Sequence, residues 1–161
     1  MTNTRIGLGS DSHRFDAQRP LILGGVPIAN ADGLAGHSDA DVLTHAIIDA
    51  LLGAAALGDI GSHFPPDDPT WAGADSIDLL RRTVASLRER RYRVGNVDAT
   101  VIAERPRLRP HVAAMRERLA QALEVPPDAV SVKASTAEGM GALGRGEGIH
   151  AQAIALIERL D

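Results

Sequence analysis

The segment from 40 to 57 constrains this chain more than any other. Val42, Leu43, Ala46, Ile47, Ile48, Ala50, Leu51, Leu52 and the alanines at 54–56 leave almost no polar side around a helical projection. A helix that is apolar nearly all round is buried on most of its sides. Yet this one carries Asp41, His45 and Asp49 at i, i+4 and i+8, one stripe of its surface. Buried polar groups need partners, because an unpaired charge there is expensive. A metal at His45, with Asp49 behind it orienting the ring, would satisfy the stripe. A structural hydrogen-bond cluster at a subunit interface would satisfy it too.

A second feature favours the metal. Asp11-Ser12-His13 places an aspartate and a histidine two residues apart, and in extended chain such residues point to the same side. His45, arriving from a separate helix, would complete three-quarters of a tetrahedral site. Three protein ligands with the fourth position open is the arrangement of a catalytic zinc. A metal-dependent enzyme follows.

Composition excludes several competing classes. A chain of 161 residues fits one domain, and a net charge of −4 argues against binding nucleic acid by general attraction to phosphate. There are no cysteines, hence neither disulfides nor thiolate metal sites, which fits a reducing compartment. No apolar run approaches a membrane span and no signal-peptide pattern precedes Arg5, so the expectation is a cytoplasmic protein. Aromatics are only 2%, so the core must be aliphatic, and such a small core is often completed at a subunit interface.

Along the chain, Arg5 to Ser10 reads as a strand running into the Asp11/His13 pair. Leu21–Leu23 and Val26–Ile28, parted by Gly24-Gly25, read as a strand broken by a bend or hairpin. A polar loop over 31–39 leads to the buried helix, which Ser38 or Asp39 can cap. Residues 58–69 read as loop. A helix follows over about 75–91, with Ile77, Leu80, Val84 and Leu87 on one face. Residues 94–103 read as a strand, 110–123 as a helix and 130–135 as a strand. A Gly-rich loop fills 136–147. The continuous apolar run 149–157 suits strand or helix, and topology favours strand. Helices placed between strands give a single α/β or α+β domain over 1–161.

Other residues carry less weight alone. His37 could contact a substrate phosphate or hydroxyl, whereas His63, His111 and His150 read as surface or packing residues. Gly139-x-Gly141-x-x-Gly144 formally matches a dinucleotide fingerprint, but the chain ends too soon for the acidic residue that motif requires. The loop reads better as a flexible turn, or as a backbone cradle for phosphate oxygens aided by Ser135 and Thr136. Glu138 beside them could hold a hard divalent cation. The basic run Arg81, Arg82, Arg88, Arg90, Arg91, Arg93 reads as a solvated helix face.

Together these blocks resemble the 2-C-methyl-D-erythritol 2,4-cyclodiphosphate synthase family. The resemblance rests on the stretch Gly9 to Phe15, on His37 to Val42 with His45, and on Asp49 to Gly61. Gly95-Asn96-Val97-Asp98 and Gly144 to Ile149 extend it nearly to the C-terminus. The resemblance implies a homotrimer with active sites between subunits, built on a mixed sheet with helices on one face, ferredoxin-like in general layout. The implied substrate is 4-diphosphocytidyl-2-C-methyl-D-erythritol 2-phosphate, whose 2-phosphate oxygen attacks the β-phosphorus and expels CMP. Such a reaction asks mainly for alignment and charge neutralisation, and no nucleophilic side chain stands out here.

By this resemblance Asp11, His13 and His45 hold zinc, and Glu138 holds a second cation, Mg²⁺ or Mn²⁺. His37 and Ser38 match residues at the methylerythritol phosphate end. Asp59 matches a ribose-binding carboxylate, with the backbone of Gly61 beside it. Ala103, Glu104, Arg105, Pro106, Arg107 and Leu108 match the loop that recognises cytosine, and Ser135 and Thr136 its phosphate-side neighbours. Arg145 and Glu147 match the polar end of a cavity on the trimer axis that binds isoprenoid diphosphates in some members. Three positions depart from the pattern. Pro66 replaces an aspartate that helps hold the methylerythritol diol, a part Asp67 or Asp68 could take. Ser10 and Ala142 replace phenylalanines of the axial cavity, weakening its apolar lining. Two other readings remain: a metal-dependent phosphoesterase using water, and a trimer that binds nucleotide without turnover.

Overall fold

The computed structural model describes residues 3–160, so positions 1, 2 and 161 of the expected domain lie outside the described residues. Seven strands and five helices form one α/β domain. In chain order they are β1 (Thr4–Asp16), β2 (Leu21–Leu23), β3 (Val26–Ile28), β4 (Gly33–Leu34), α1 (Val42–Ala54), α2 (Ile60–His63), α3 (Ser76–Glu89), β5 (Tyr92–Ile102), α4 (Val112–Leu123), β6 (Val130–Ser135), α5 (Gly141–Gly144) and β7 (Gly148–Arg159).

The main sheet runs β4-β1-β7-β5-β6, and β2 and β3 form a separate hairpin. β7 pairs antiparallel with both β1 and β5, while β5 and β6 pair in parallel. The sheet is therefore mixed, as expected. β7 lies between β1 and β5 as in a split β-α-β unit. The parallel β5–β6 pair, joined through α4, departs from an antiparallel ferredoxin-like sheet. The run 149–157 is a strand, the option that topology favoured.

Burial alternates along β7, with Ile149, Ala151, Ala153, Ala155 and Ile157 buried. Those side chains meet α1, and α3 and α4 cover β5 and β6 on the same side. The opposite face stays open. Ile6 is 70% exposed, Leu8 67% and Ile154 50%, and Leu8 pairs across the strands with Ile154.

α1 lies on β1 at very close range because β1 presents glycine there. A methyl group at Gly7 would stand 1.9 Å from the Ala50 carbonyl oxygen, and one at Gly9 1.8 Å from that of Ala46. Ala46, Ala50 and Ala54 line the helix face that meets them. Glycine on the strand and alanine on the helix let the two backbones approach, which carries His45 down to Asp11 and His13.

The helix start differs from expectation. Asp41, not Ser38 or Asp39, is the N-cap, and its carboxylate accepts from the Thr44 amide at 3.0 Å and the Thr44 hydroxyl at 2.7 Å. The same carboxylate takes the amides of Gly24 at 2.9 Å and Gly25 at 2.7 Å. Ser38 and Asp39 have other work, and a cap that also ties down a distant turn is invisible to local spacing. Burial pushes the Asp41 carboxyl up, against the hydrogen bonds from Thr44 and Gly25. Within the expected loops lie two short helical turns, α2 and α5. Among the described residues no helix is long and apolar enough to cross a membrane.

Candidate metal centre

β1 and α1 between them build the site. Asp11 and His13 leave β1 on the side facing α1, and His45 comes from the second turn of the helix. The Oδ2 of Asp11 lies 2.9 Å from His13 Nε2 and 3.1 Å from His45 Nδ1. The two ring nitrogens are 3.4 Å apart. Donors at about 2.0 Å around a tetrahedral ion stand roughly 3.3 Å from one another, and the three separations bracket that value. Among the described residues this is the one cluster of three or more such ligands.

The far edges of both rings are already engaged. His13 Nδ1 lies 2.6 Å from the Ala35 carbonyl oxygen, to which it can only donate, leaving Nε2 with its lone pair. His45 Nε2 lies 2.8 Å from the Ser76 hydroxyl and 3.1 Å from that of Ser38. The lone pair of His13 Nε2, the Nδ1 of His45 and a carboxylate oxygen converge on one point, and this donor set fits a divalent metal.

The electrostatics agree. Burial opposes the charge of Asp11, but the hydrogen bonds and charges of His13 and His45 outweigh it and hold the carboxyl well below the usual range. Burial likewise disfavours a charged His13, yet Asp11 and the Ala35 carbonyl raise its pKa above the ordinary histidine value. A carboxylate held ionised beside two ring nitrogens is a place where positive charge is welcome.

Asp49 does not orient the His45 ring as expected. Its carboxylate accepts the Ile60 amide at 2.7 Å, holding the start of α2 against α1. The polar stripe on α1 is therefore split among three tasks: Asp41 holds the hairpin, His45 meets β1, and Asp49 holds the 59–60 segment.

A cleft of about 210 Å³ opens over the cluster, and His37, Ser38, Gly61 and Pro66 all line it. His37 Nε2 sits 3.1 Å from the Asp68 carbonyl, which draws the 64–71 loop over the cleft. Asp59 is exposed and caps α2 through one oxygen, accepting from the Ser62 amide and hydroxyl; those bonds lower its pKa. Neither bond uses its other oxygen. Asp68 spends a carboxylate oxygen capping the following turn, at 2.9 Å from the Thr70 amide, whereas Asp67 is exposed beside Pro66. Phe64, Trp71 and Leu79 supply an apolar wall, with Phe64 and Trp71 edge to face at 5.0 Å and the Arg82 guanidinium 5.5 Å over the Trp71 ring. Sequence spacing did not single out these three.

Ala103 to Leu108, Ser135 and Thr136 of the expected site line a second cleft, of about 280 Å³, with Arg109; Glu138 and Arg145 lie outside its lining. Glu104 has turned inward: its carboxylate takes the amides of Ala137 at 2.8 Å and Gly139 at 3.4 Å, and so shapes the turn that bears exposed Glu138. Arg105 pairs with Asp32 at 2.9 Å and stacks 4.2 Å over Phe15. Arg145 pairs with Glu147 at 3.0 Å. The two clefts share no residue and open at one end of the sheet, from β1 and from β5 and β6. Three strand spacings separate β1 from β6, about 14 Å.

An α/β domain that brings two histidines and an aspartate to one open-sided point, at the floor of a cleft, defines a class of protein with a site fit to hold a divalent metal. More narrowly, the chain belongs to the YgbB family, whose profile matches residues 4–158. A relative from Cyanothece sp., 59% identical over 157 residues with 98% of each chain covered, is a 2-C-methyl-D-erythritol 2,4-cyclodiphosphate synthase. So is one from Symbiobacterium thermophilum, 62% identical over 152 residues, covering 94% of this chain and 97% of that one. Among solved structures, a Plasmodium falciparum protein in complex with CDP superposes with a TM-score of 0.86 at 32% identity, covering 100% and 99% of the two chains. The bifunctional IspDF of Campylobacter jejuni gives a TM-score of 0.96 at 38% identity, and this chain spans 44% of its length.

Proposed function

We propose that this protein converts 4-diphosphocytidyl-2-C-methyl-D-erythritol 2-phosphate into 2-C-methyl-D-erythritol 2,4-cyclodiphosphate and CMP, a step of non-mevalonate isoprenoid synthesis. The observation that carries the reading is the convergence of Asp11 Oδ2, His13 Nε2 and His45 Nδ1 under an open cleft. Membership of a family whose relatives bear this activity supplies the substrate.

The 2-phosphate oxygen attacks the β-phosphorus, the bond from that phosphorus to the bridging oxygen breaks, and CMP leaves with the electron pair. Zinc at Asp11, His13 and His45 would act as Lewis acid and template toward the β-phosphate. Glu138, on a turn that the Glu104 carboxylate shapes, would hold Mg²⁺ or Mn²⁺, which would supply positive charge against the diphosphate. His37 and Ser38 face the attacking end, Ser38 with a buried hydroxyl and His37 on the cleft wall. The free oxygen of Asp59 suits a ribose hydroxyl. The backbone of 103–108 takes the cytosine, with Ser135 and Thr136 on its phosphate side. Glu104 serves this part through the turn it shapes, and Arg105 through its hold on Phe15 and Asp32. Arg145, paired with Glu147, would stand at the polar end of the axial cavity.

No single chain brings these halves together, since the metal cleft and the cytosine cleft lie some strands apart. A homotrimer that places one subunit's 103–108 and 135–138 segments against its neighbour's Asp11, His13 and His45 closes the gap. The open sheet face, with Ile6, Leu8 and Ile154 exposed, supports such an assembly. Sedimentation equilibrium at micromolar concentration is expected to read three times the 16.9 kDa chain mass; a monomer at that concentration would sink the composite site.

Product analysis tests the reaction itself. Incubation with the cytidylyl substrate, zinc and Mg²⁺ is expected to yield cyclic diphosphate and CMP by phosphorus NMR and mass spectrometry. Linear products with inorganic phosphate would mean that water is the nucleophile. Unchanged substrate would mean a binding protein.

A further inference from the structure

A hydroxyl and a carboxylate stand in series behind His45, on the side away from Asp11 and His13. Ser76 opens α3 and is fully buried, with its Oγ 2.8 Å from His45 Nε2. The same hydroxyl bonds to Asp39 Oδ1, and Asp39 Oδ2 accepts the Ser76 amide at 2.9 Å. Asp39 is held in turn. Its own amide donates to the Ala74 carbonyl at 3.0 Å, and its Oδ1 accepts the Asp41 amide at 3.1 Å. Two backbone amides thus aim the carboxylate at the serine.

The proton count along this line has one solution. An ionised carboxylate only accepts, and a serine hydroxyl carries a single proton. Ser76 therefore donates to Asp39, and its oxygen accepts from His45 Nε2–H. The ring proton is then on Nε2, and the lone pair on Nδ1 points at Asp11 and His13. The two histidines are oriented by different means. His13 is held by a main-chain carbonyl that no side-chain change removes. His45 relies on side chains.

The geometry points to Asp39 and Ser76 as positioning residues that hold His45 in its Nε2–H tautomer and so make Nδ1 the metal donor. Asp39 then governs metal affinity from two hydrogen bonds away. The inference deepens the metal reading of this site and rests on it.

Asp39→Asn separates this role from simple support. The introduced NH₂ cannot stand in for either oxygen without loss. In the Oδ2 place it confronts the Ser76 amide, and in the Oδ1 place it confronts the Asp41 amide and faces the Ser76 hydroxyl. The first placement removes one of the two bonds that tie Asp39 to Ser76; in the second, Ser76 accepts from the NH₂ and donates to Nε2, which moves the ring proton to Nδ1. In Ser76→Ala the Nε2–H keeps the Ser38 hydroxyl as an acceptor, so the tautomer survives with a looser ring.

Zinc dissociation constants are read by competition with a chromophoric chelator, and ring nitrogens by ¹⁵N NMR of the zinc-loaded protein. In wild type, His45 is expected to show a protonated Nε2 and a coordinated Nδ1. Asp39→Asn is expected to weaken zinc by about 10–100-fold, the usual cost of losing such outer support. Ser76→Ala should cost less, although Ser76 is the nearer residue. A coordinated Nε2 in wild type overturns the proposal, as does Asp39→Asn binding within twofold of wild type or losing less than Ser76→Ala. If Asp39→Asn does not fold, the wild-type tautomer and a Ser76→Ala loss between twofold and tenfold decide the matter. A wild-type protein that binds no zinc brings down the metal reading along with the relay; an unaffected Asp39→Asn beside a zinc-binding wild type removes the relay alone.

Discussion

His45→Ala is expected to lower product formation by about 10³-fold or more and to empty the metal site at micromolar zinc. The ring supplies one of three donors, and the remaining pair, Asp11 and His13, cannot enclose an ion. A Lewis acid at a phosphoryl group contributes several kcal/mol to the transition state, and each 1.36 kcal/mol is tenfold in rate. The variant should stay folded, since His45 faces a cleft rather than the aliphatic core. Zinc content after dialysis and CMP release measure the two effects. Near-wild-type turnover with an empty site would mean that the ion takes no part in the reaction. The same site has a pH dependence of defined sign. His13 holds its proton more tightly than an ordinary histidine, and metal must displace that proton. Zinc affinity therefore falls as pH drops through the raised value, and is fully present above it.

The second large effect comes from a residue with no side chain. Gly9→Ala is expected to destabilise the fold by roughly 3 kcal/mol or more, the upper end of overpacking costs. Its new methyl would lie 1.8 Å from the Ala46 carbonyl oxygen and 2.6 Å from the Ala50 amide nitrogen. Both are backbone atoms of α1, so no rotamer change relieves them and the helix must back away from β1. His45 neighbours Ala46, so the same displacement opens the distances to Asp11 and His13. Urea unfolding midpoints and zinc affinity should fall together. A variant of wild-type stability would show that α1 does not seat on β1 as closely as described.

Much of this architecture was legible in residue order. The apolar run on α1 announced a buried helix because it offers no side to water. The two-residue spacing of Asp11 and His13 placed them on one side of a strand, and Gly24-Gly25 marked the hairpin. These are local signals, set by the periods of helix and strand, and they survive without knowledge of what lies across the core. Partners of buried polar groups are another matter. Asp39 looked like a helix cap and instead bonds Ser76, 37 residues on. Asp49 looked like a support for His45 and instead holds Ile60. Glu104, expected at the ligand, shapes the turn of Glu138. A carboxylate on the page has the same capacity in every case, and only the packing of distant elements decides which donor comes within 3 Å of it. The sequence by itself determined the long strands and helices and the trio Asp11, His13 and His45 that comes together; the tertiary structure decided which groups stand behind that trio, because a hydrogen bond depends on position in space and not on distance along the chain.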